Sequence, residues 1–203
     1  MKELYGTGVA LITPFDYNGD IDESSLRALV NHQIDNGINY LVVLGTTGES
    51  VTLSKAEKEY VQRIVTEEND GRVPLILGVG GNDTRAVVEA SAAVNADEIT
   101  AVLSVSPMYN KPSQSGLQAH FNAIADSSSV PVILYNVPGR TACTMLPQTI
   151  AEMSLHPNII GIKEASGNLT DVMEIISLVS PNFLVISGDD NIAIGSEAGD
   201  AIT

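Results

Sequence analysis

The chain has 203 residues, 44% of them hydrophobic, so it can bury a sizeable core, and no linker or low-complexity tract divides 1–203 into more than one expected domain. A formal net charge of −15 argues against nucleic acid or an anionic membrane surface as a partner. The single cysteine, Cys143, cannot pair within the chain, no apolar run reaches the ~18 residues of a membrane span, and "MKELYGTGVALITPF" reads as a strand rather than a signal peptide, so a cytoplasmic protein is expected.

Short apolar runs alternate with segments of helical spacing. "GVALITPF" (8–15) is the first run. Leu26, Leu29, Val30 and Ile34 then recur at helical intervals within 24–36. "YLVVLG" (40–45) is the second run, and Ser54-Lys55-Ala56-Glu57 has the form of a capping box opening the next helix. "PLILGVG" (74–80) precedes "NDTRAVVEASAAV", where Asn82 or Asp83 is the candidate cap. "AVLSVSP" (101–107) precedes a helix over 115–126, and "PVILYNVP" (131–138) one over 147–154. "IIGIKEAS" (159–166) precedes a helix over 169–179, and "FLVISGDD" (183–190) is the seventh run.

This is a βα unit repeated seven times, with strands apolar enough to be buried on both faces. A doubly wound sheet and a (β/α)8 barrel both use that pattern. The regular spacing favours the barrel. In either fold the chemistry sits at the C-terminal ends of the strands. Polar residues collect there: "GTTGES" (45–50), "GVGGND" (78–83), "SPMYNKP" (106–112), "LYNVPGRT" (134–141), Lys163 and "SGDD" (187–190).

Two readings of Lys163 stand level. It is either the first exposed residue of a loop, paired with Glu164, or a desolvated amine able to form a Schiff base with a carbonyl. "GTTGES" is either a tight turn or, through Thr46 and Thr47 with nearby N–H groups, a site for a carboxylate or phosphate, and no Walker lysine is present. Tyr109 and Tyr135 are either packing residues or a proton relay. Arg140, in a Pro-Gly turn, is either a surface arginine or a carboxylate clamp. Asp189 and Asp190 lack further ligands at metal-binding spacing, and His32, His120 and His156 are not placed for triad chemistry.

"GTTGES", "YNKPSQ", "YNVPGRT", "IIGIKEASGN" and "SGDD", in this order and spacing, closely resemble the dihydrodipicolinate synthases of the pyruvate-dependent class I aldolase superfamily. The resemblance runs from about residue 6 to about residue 190. It implies a (β/α)8 TIM-type barrel that condenses pyruvate with aspartate semialdehyde and needs no metal or organic cofactor, because the lysine itself is the electron sink. Lys163 then matches the Schiff-base lysine, and Thr47 with Thr46 the residues that hold the pyruvate carboxylate. Tyr135, Thr46 and Tyr109 match the hydroxyl relay, with Tyr109 reaching into a neighbouring subunit of a dimer or tetramer. Arg140 matches the arginine that receives the second substrate's carboxylate.

The resemblance also marks departures. Such a barrel typically takes ~250 residues. The segment after strand seven, "NIAIGSEAGDAIT", is short for the family, although "DAIT" resembles the start of strand eight. A barrel truncated within or after strand seven to eight, without the C-terminal helices, is therefore expected: either the chain is incomplete and its strand edges stay open, or strand eight is makeshift, or a partner supplies the missing part. An inactive truncated barrel, or a related pyruvate aldolase with another aldehyde, remain alternatives. At the family's lysine-inhibition site, Ser50 and Asn82 match. Lys55, Lys58, Ala86 and Met108 do not, so insensitivity to lysine is expected.

Overall fold

A computed structural model describes residues 2–189 and 200–202. Among them, eight parallel strands close into a ring in sequence order. They are β1 (Gly6–Ala10), β2 (Tyr40–Val43), β3 (Leu75–Gly78), β4 (Ala101–Val105), β5 (Val132–Asn136), β6 (Ile159–Glu164), β7 (Leu184–Ser187) and β8 (Asp200–Ile202). Of the outcomes left open by the short C-terminal sequence, a makeshift eighth strand is the one that forms. Asp200 and Ala201 pair with Val185 and Ile186 of β7, while Ala201 and Ile202 pair with Gly6 and Thr7 of β1. A short strand is enough here, because pairing on both sides removes both edges.

Among the described residues, all but one of the helices match the predicted segments closely. The helices are α1 (Glu23–Asp35), α2 (Lys55–Asn69), α3 (Thr84–Ala92), α4 (Gln114–Ser127), α5 (Pro138–Thr141), α6 (Pro147–Met153) and α7 (Leu169–Leu178). The capping box forms in full: Ser54 Oγ accepts from the Glu57 N–H at 3.3 Å, and Glu57 accepts from the Ser54 N–H at 2.7 Å. Asp83, rather than Asn82, caps α3. Each observed strand is shorter than its apolar run, because the residues at the C-terminal end leave the ladder to build the mouth. β1 ends at Ala10, and beyond Pro14, which has no N–H to donate, Phe15 bridges back to Ile21.

Alternation along the strands sorts two apolar layers. Tyr40, Val42, Ile76, Leu103, Ile133 and Ile186 fill the ring. Leu41, Leu75, Val102, Val132 and Ile162 face outward and pack with helix residues such as Leu117, Ile124 and Val172. The helices are also tied at their outer surface. Arg27 of α1 reaches Glu23 at 2.8 Å, and on α2 it reaches Glu67 at 2.7 Å and Glu68 at 3.1 Å. Tyr60 donates to the same Glu23.

These contacts hold three carboxyls below their ordinary range. The causes are Tyr60 and then Arg27 for Glu23, Arg27 for Glu67, and Asn31 and then Arg27 for Glu68. Their stabilisation is therefore present above the unfolded carboxylate range near ~4.3, and is lost as pH falls through the lowered values. Arg27→Ala should lower the melting temperature at neutral pH, and its gap to the parent should narrow on acidification below about pH 4. Thermal unfolding as a function of pH checks this, and a gap independent of pH would contradict it.

Candidate active site

Lys163 is a strand residue, 8% exposed, so it is not the first exposed residue of a loop. Register places it beside Tyr135 of β5 on one side and Ile186 of β7 on the other. Its Nζ lies 5.3 Å from the centroid of the Tyr135 ring. Gly188, just past β7, leaves space for the lysine stem: a Cβ there would sit 2.7 Å from Lys163 Cε and 3.1 Å from its Cγ.

Glu164 is not directed the same way. It comes after Lys163 on the strand and so faces outward, where its oxygens accept from Asn136 Nδ2 at 2.7 Å and from the Ser166 N–H at 2.7 Å. Burial pushes its carboxyl up, and those two donors pull it back down.

Tyr135 is also 8% exposed. Burial pushes its phenol up, while a hydrogen bond with Thr46 and the charge of Arg140 act in the opposite direction. Thr46 and Thr47 open a 3-10 turn, Thr46–Gly48, in which the Gly48 and Glu49 N–H groups fold back onto Gly45 and Thr46. Buried Thr13 clamps the turn by donating its hydroxyl to the Gly48 carbonyl at 2.7 Å. Both threonines are exposed at the mouth. Arg140 lies on α5, a single helical turn where a Pro-Gly turn was expected, and its side chain reaches the mouth.

Thr46, Tyr135 and Arg140 line one cavity of about 770 Å³, which extends outward to Lys58 of α2 and Ala86 of α3. Lys163 and Thr47 are not among its lining residues. Tyr109 is not brought to Tyr135 within the chain. It is 85% exposed and holds a left-handed backbone, φ 70°. Its N–H donates to the Thr141 carbonyl at 3.2 Å, and the Met108 N–H before it donates to Asn82 Oδ1 at 2.7 Å.

Sequence reasoning did not foresee the fastening roles of Asn82 and Glu164, and it passed over Gln114, Asn136 and Gly188 as individual residues. Each lies inside or next to a motif of the polar ring. The available signal was strand alternation, which sends Asn136 and Glu164 to the face opposite Tyr135 and Lys163. Among the described residues, no group of three or more His, Cys, Asp or Glu side chains is placed to hold a metal. Asp190 lies outside the described residues. His120 is buried, with Nδ1 2.8 Å from Thr84 Oγ1, and burial pushes its pKa down.

The dihydrodipicolinate synthetase family profile matches residues 3–196. A 4-hydroxy-tetrahydrodipicolinate synthase from Flavobacterium psychrophilum is 51% identical over 195 residues, 96% of this chain and 67% of that protein. One from Pseudomonas aeruginosa is 49% identical over 191 residues, 94% of this chain and 65% of that protein. The chain thus spans about two thirds of the length of these relatives. Among solved structures, a dihydrodipicolinate synthase from Bacillus anthracis superimposes with TM-score 0.94 at 42% identity, over 98% of this chain and 69% of that one. A chloride-inhibited dihydrodipicolinate synthase from Acinetobacter baumannii, complexed with pyruvate, superimposes with TM-score 0.95 at 38% identity, over 98% of this chain and 69% of that one.

The Gly188 contact gives a direct test of how the amine is aimed. In Gly188→Ala the added Cβ would meet Lys163 Cε at 2.7 Å, Ala165 Cβ at 3.0 Å and Lys163 Cγ at 3.1 Å, and the tightest of these contacts is relieved by displacing the end of the lysine. Misplacement on the scale of 1 Å can cost about 100-fold, so borohydride-trapped adduct formation on Lys163 should slow by roughly 10–100-fold, with only a small change in melting temperature. Parent-like trapping would show that the gap left by Gly188 does not aim the lysine.

Proposed function

The chain belongs to the dihydrodipicolinate synthetase family, and on that footing we propose that it condenses pyruvate with aspartate 4-semialdehyde. The product is 4-hydroxy-tetrahydrodipicolinate, in the diaminopimelate route to lysine. The observation that carries this reading is the buried pairing of Lys163 with Tyr135, at the edge of the cavity that Tyr135 and Thr46 line together.

In the first step the neutral Lys163 amine attacks the pyruvate carbonyl, and water leaves to give an imine. The imine draws electrons from the adjacent methyl group, a proton departs, and an enamine forms. The enamine carbon attacks the aldehyde of the second substrate, whose oxygen takes up a proton. The amine of that substrate then displaces Lys163 and closes the ring. Lysine suits the task because its amine can deprotonate in a dry site, which arginine cannot do. Tyr135 and Thr46 move the protons. Thr46 and Thr47 hold the pyruvate carboxylate at the 3-10 turn. Arg140 receives the carboxylate of the aldehyde, in keeping with its place on the cavity wall.

Tyr109 completes the relay in a neighbouring subunit of a homo-oligomer, for which its exposure on the rim leaves it available. One structurally similar protein, 36% identical with TM-score 0.93, is described as the first monomeric dihydrodipicolinate synthase variant. Among the described residues, no helix is long and apolar enough to cross a membrane, and the enzyme acts on small molecules in the cytoplasm.

Borohydride reduction in the presence of pyruvate should give a covalent adduct on Lys163, and Lys163→Ala should abolish both adduct and turnover. Substantial turnover in that variant would exclude the Schiff-base route. Arg140→Ala should raise the KM for aspartate semialdehyde by about tenfold or more, the worth of a charge-assisted hydrogen bond, with adduct formation nearly untouched. Equal damage to adduct formation would contradict the role given to Arg140.

The outer cavity wall carries Ser50, Lys55, Lys58, Ala86 and Met108. A lysine ligand there would meet Lys55 and Lys58; Ala86 offers no carboxylate, and of the two glutamates on the same wall, Glu59 and Glu89, the first already lies 3.8 Å from Lys55. Initial rates should be unchanged by millimolar L-lysine. Half-inhibition below that level would overturn this expectation.

A further inference from the structure

The mouth loop that carries Arg140 runs from Val137 to Leu146, and it is fastened at three points. The Arg140 N–H donates to Val137 at 2.9 Å, and the Thr141 hydroxyl holds the Cys143 carbonyl at 2.9 Å. Gln114 grips the far end, donating to the Thr144 carbonyl at 2.8 Å and accepting from the Leu146 N–H at 3.1 Å. The third fastening comes from the sheet itself. The Met145 N–H donates to Asn136 Oδ1 at 3.1 Å, and both residues are buried.

That last bond fixes which way the Asn136 amide faces. A backbone N–H needs an acceptor, so Oδ1 must point at Met145 and Nδ2 must point the other way. Nδ2 donates to Glu164, which is 1% exposed and sits opposite Asn136 in the β5–β6 register. The other Glu164 oxygen accepts from the Ser166 N–H, at the start of the loop after β6. One carboxylate therefore faces two donors and polarises the chain of contacts Ser166–Glu164–Asn136–Met145. Nothing in the proposed chemistry uses Glu164, whose side chain lies on the face away from Lys163.

We propose that Glu164 is a positioning residue. Its carboxylate orients the Asn136 amide, and Asn136 in turn holds the loop that presents Arg140 to the second substrate. The role rests on the proposed condensation and goes beyond it. It assigns acceptance of the aldehyde partly to a buried residue that touches neither substrate.

The chemistry of the pair supplies a sharp test. Glu164→Gln keeps the shape but replaces one acceptor with a donor. Turned either way, the new NH2 group faces Asn136 Nδ2 or the Ser166 N–H, donor against donor. Asn136 can relieve the first clash only by turning over, and it then sets Nδ2 against the Met145 N–H. Combining Glu164→Gln with Asn136→Asp restores every polarity: the new carboxamide donates across the pair, and the new carboxylate accepts from both the carboxamide and Met145.

The experiment uses the full chain and measures borohydride-trapped pyruvate on Lys163 alongside kcat and the KM for aspartate semialdehyde. An unpaired buried donor should raise that KM about tenfold in Glu164→Gln, while adduct yield stays within about twofold and the exchanged pair returns KM to within about threefold of the parent. A parent-like KM in Glu164→Gln, or an exchanged pair no better than Glu164→Gln alone, overturns the proposal. Should Glu164→Gln fail to fold, the exchanged pair decides: a folded protein with parent-like KM supports the role, and anything else counts against it. A parent chain that forms no adduct overturns the proposed condensation, and this role with it.

Discussion

The register of β5 against β6 is the constraint on which the mouth of this barrel depends. Parallel pairing sets Tyr135 beside Lys163 and Asn136 beside Glu164. Side chains alternate across a strand, so the first pair enters the ring and the second faces the helices. A slip of one residue would exchange the faces, leaving a carboxylate inside and a lysine against the apolar outer layer. That layer resists such a slip, because Leu134 and Ile162 belong to it and are fully buried.

Burial then acts differently on the two faces. Inside the ring, burial raises the cost of charging Tyr135 and pushes its phenol up. Lys163 and Tyr135 are both 8% exposed, so little water reaches either one. Outside the ring, Glu164 is buried among donors that were placed to meet it, and the result is fastening rather than reactivity. Adjacent residues on one strand thus take up opposite tasks.

The loops above the ring would be slack on their own. Side-chain amides tie them: Asn82 to Met108 and Gln114 to Thr144 and Leu146 run between neighbouring loops, and Asn136 to Met145 ties the end of β5 to the loop that follows it. Tyr109 is held by its backbone to Thr141 of the next loop, in a left-handed conformation that places its ring in solvent. The rim is therefore cross-braced between neighbouring βα loops.

Much of this molecule was legible in the sequence. The β-branched runs, the helical spacing of Leu26, Leu29, Val30 and Ile34, and the Ser54–Glu57 capping box are local patterns, and local patterns survive into the fold because they involve residues within a turn or two of each other. The polar ring of "GTTGES", "YNVPGRT" and Lys163 was visible for the same reason: strand ends are marked by where apolar runs stop. Whether Lys163 was a loop residue paired with Glu164 or a buried amine was not decided by its neighbours in sequence. It was decided by Tyr135, Ile186 and Gly188, which come from other strands or their ends. The closure of the ring by Asp200–Ile202, the direction of Tyr109 and the Glu164–Asn136 bond across 28 residues likewise arise from long-range contacts. Periodicity records which face a residue prefers, but only tertiary packing supplies the partner that it meets there.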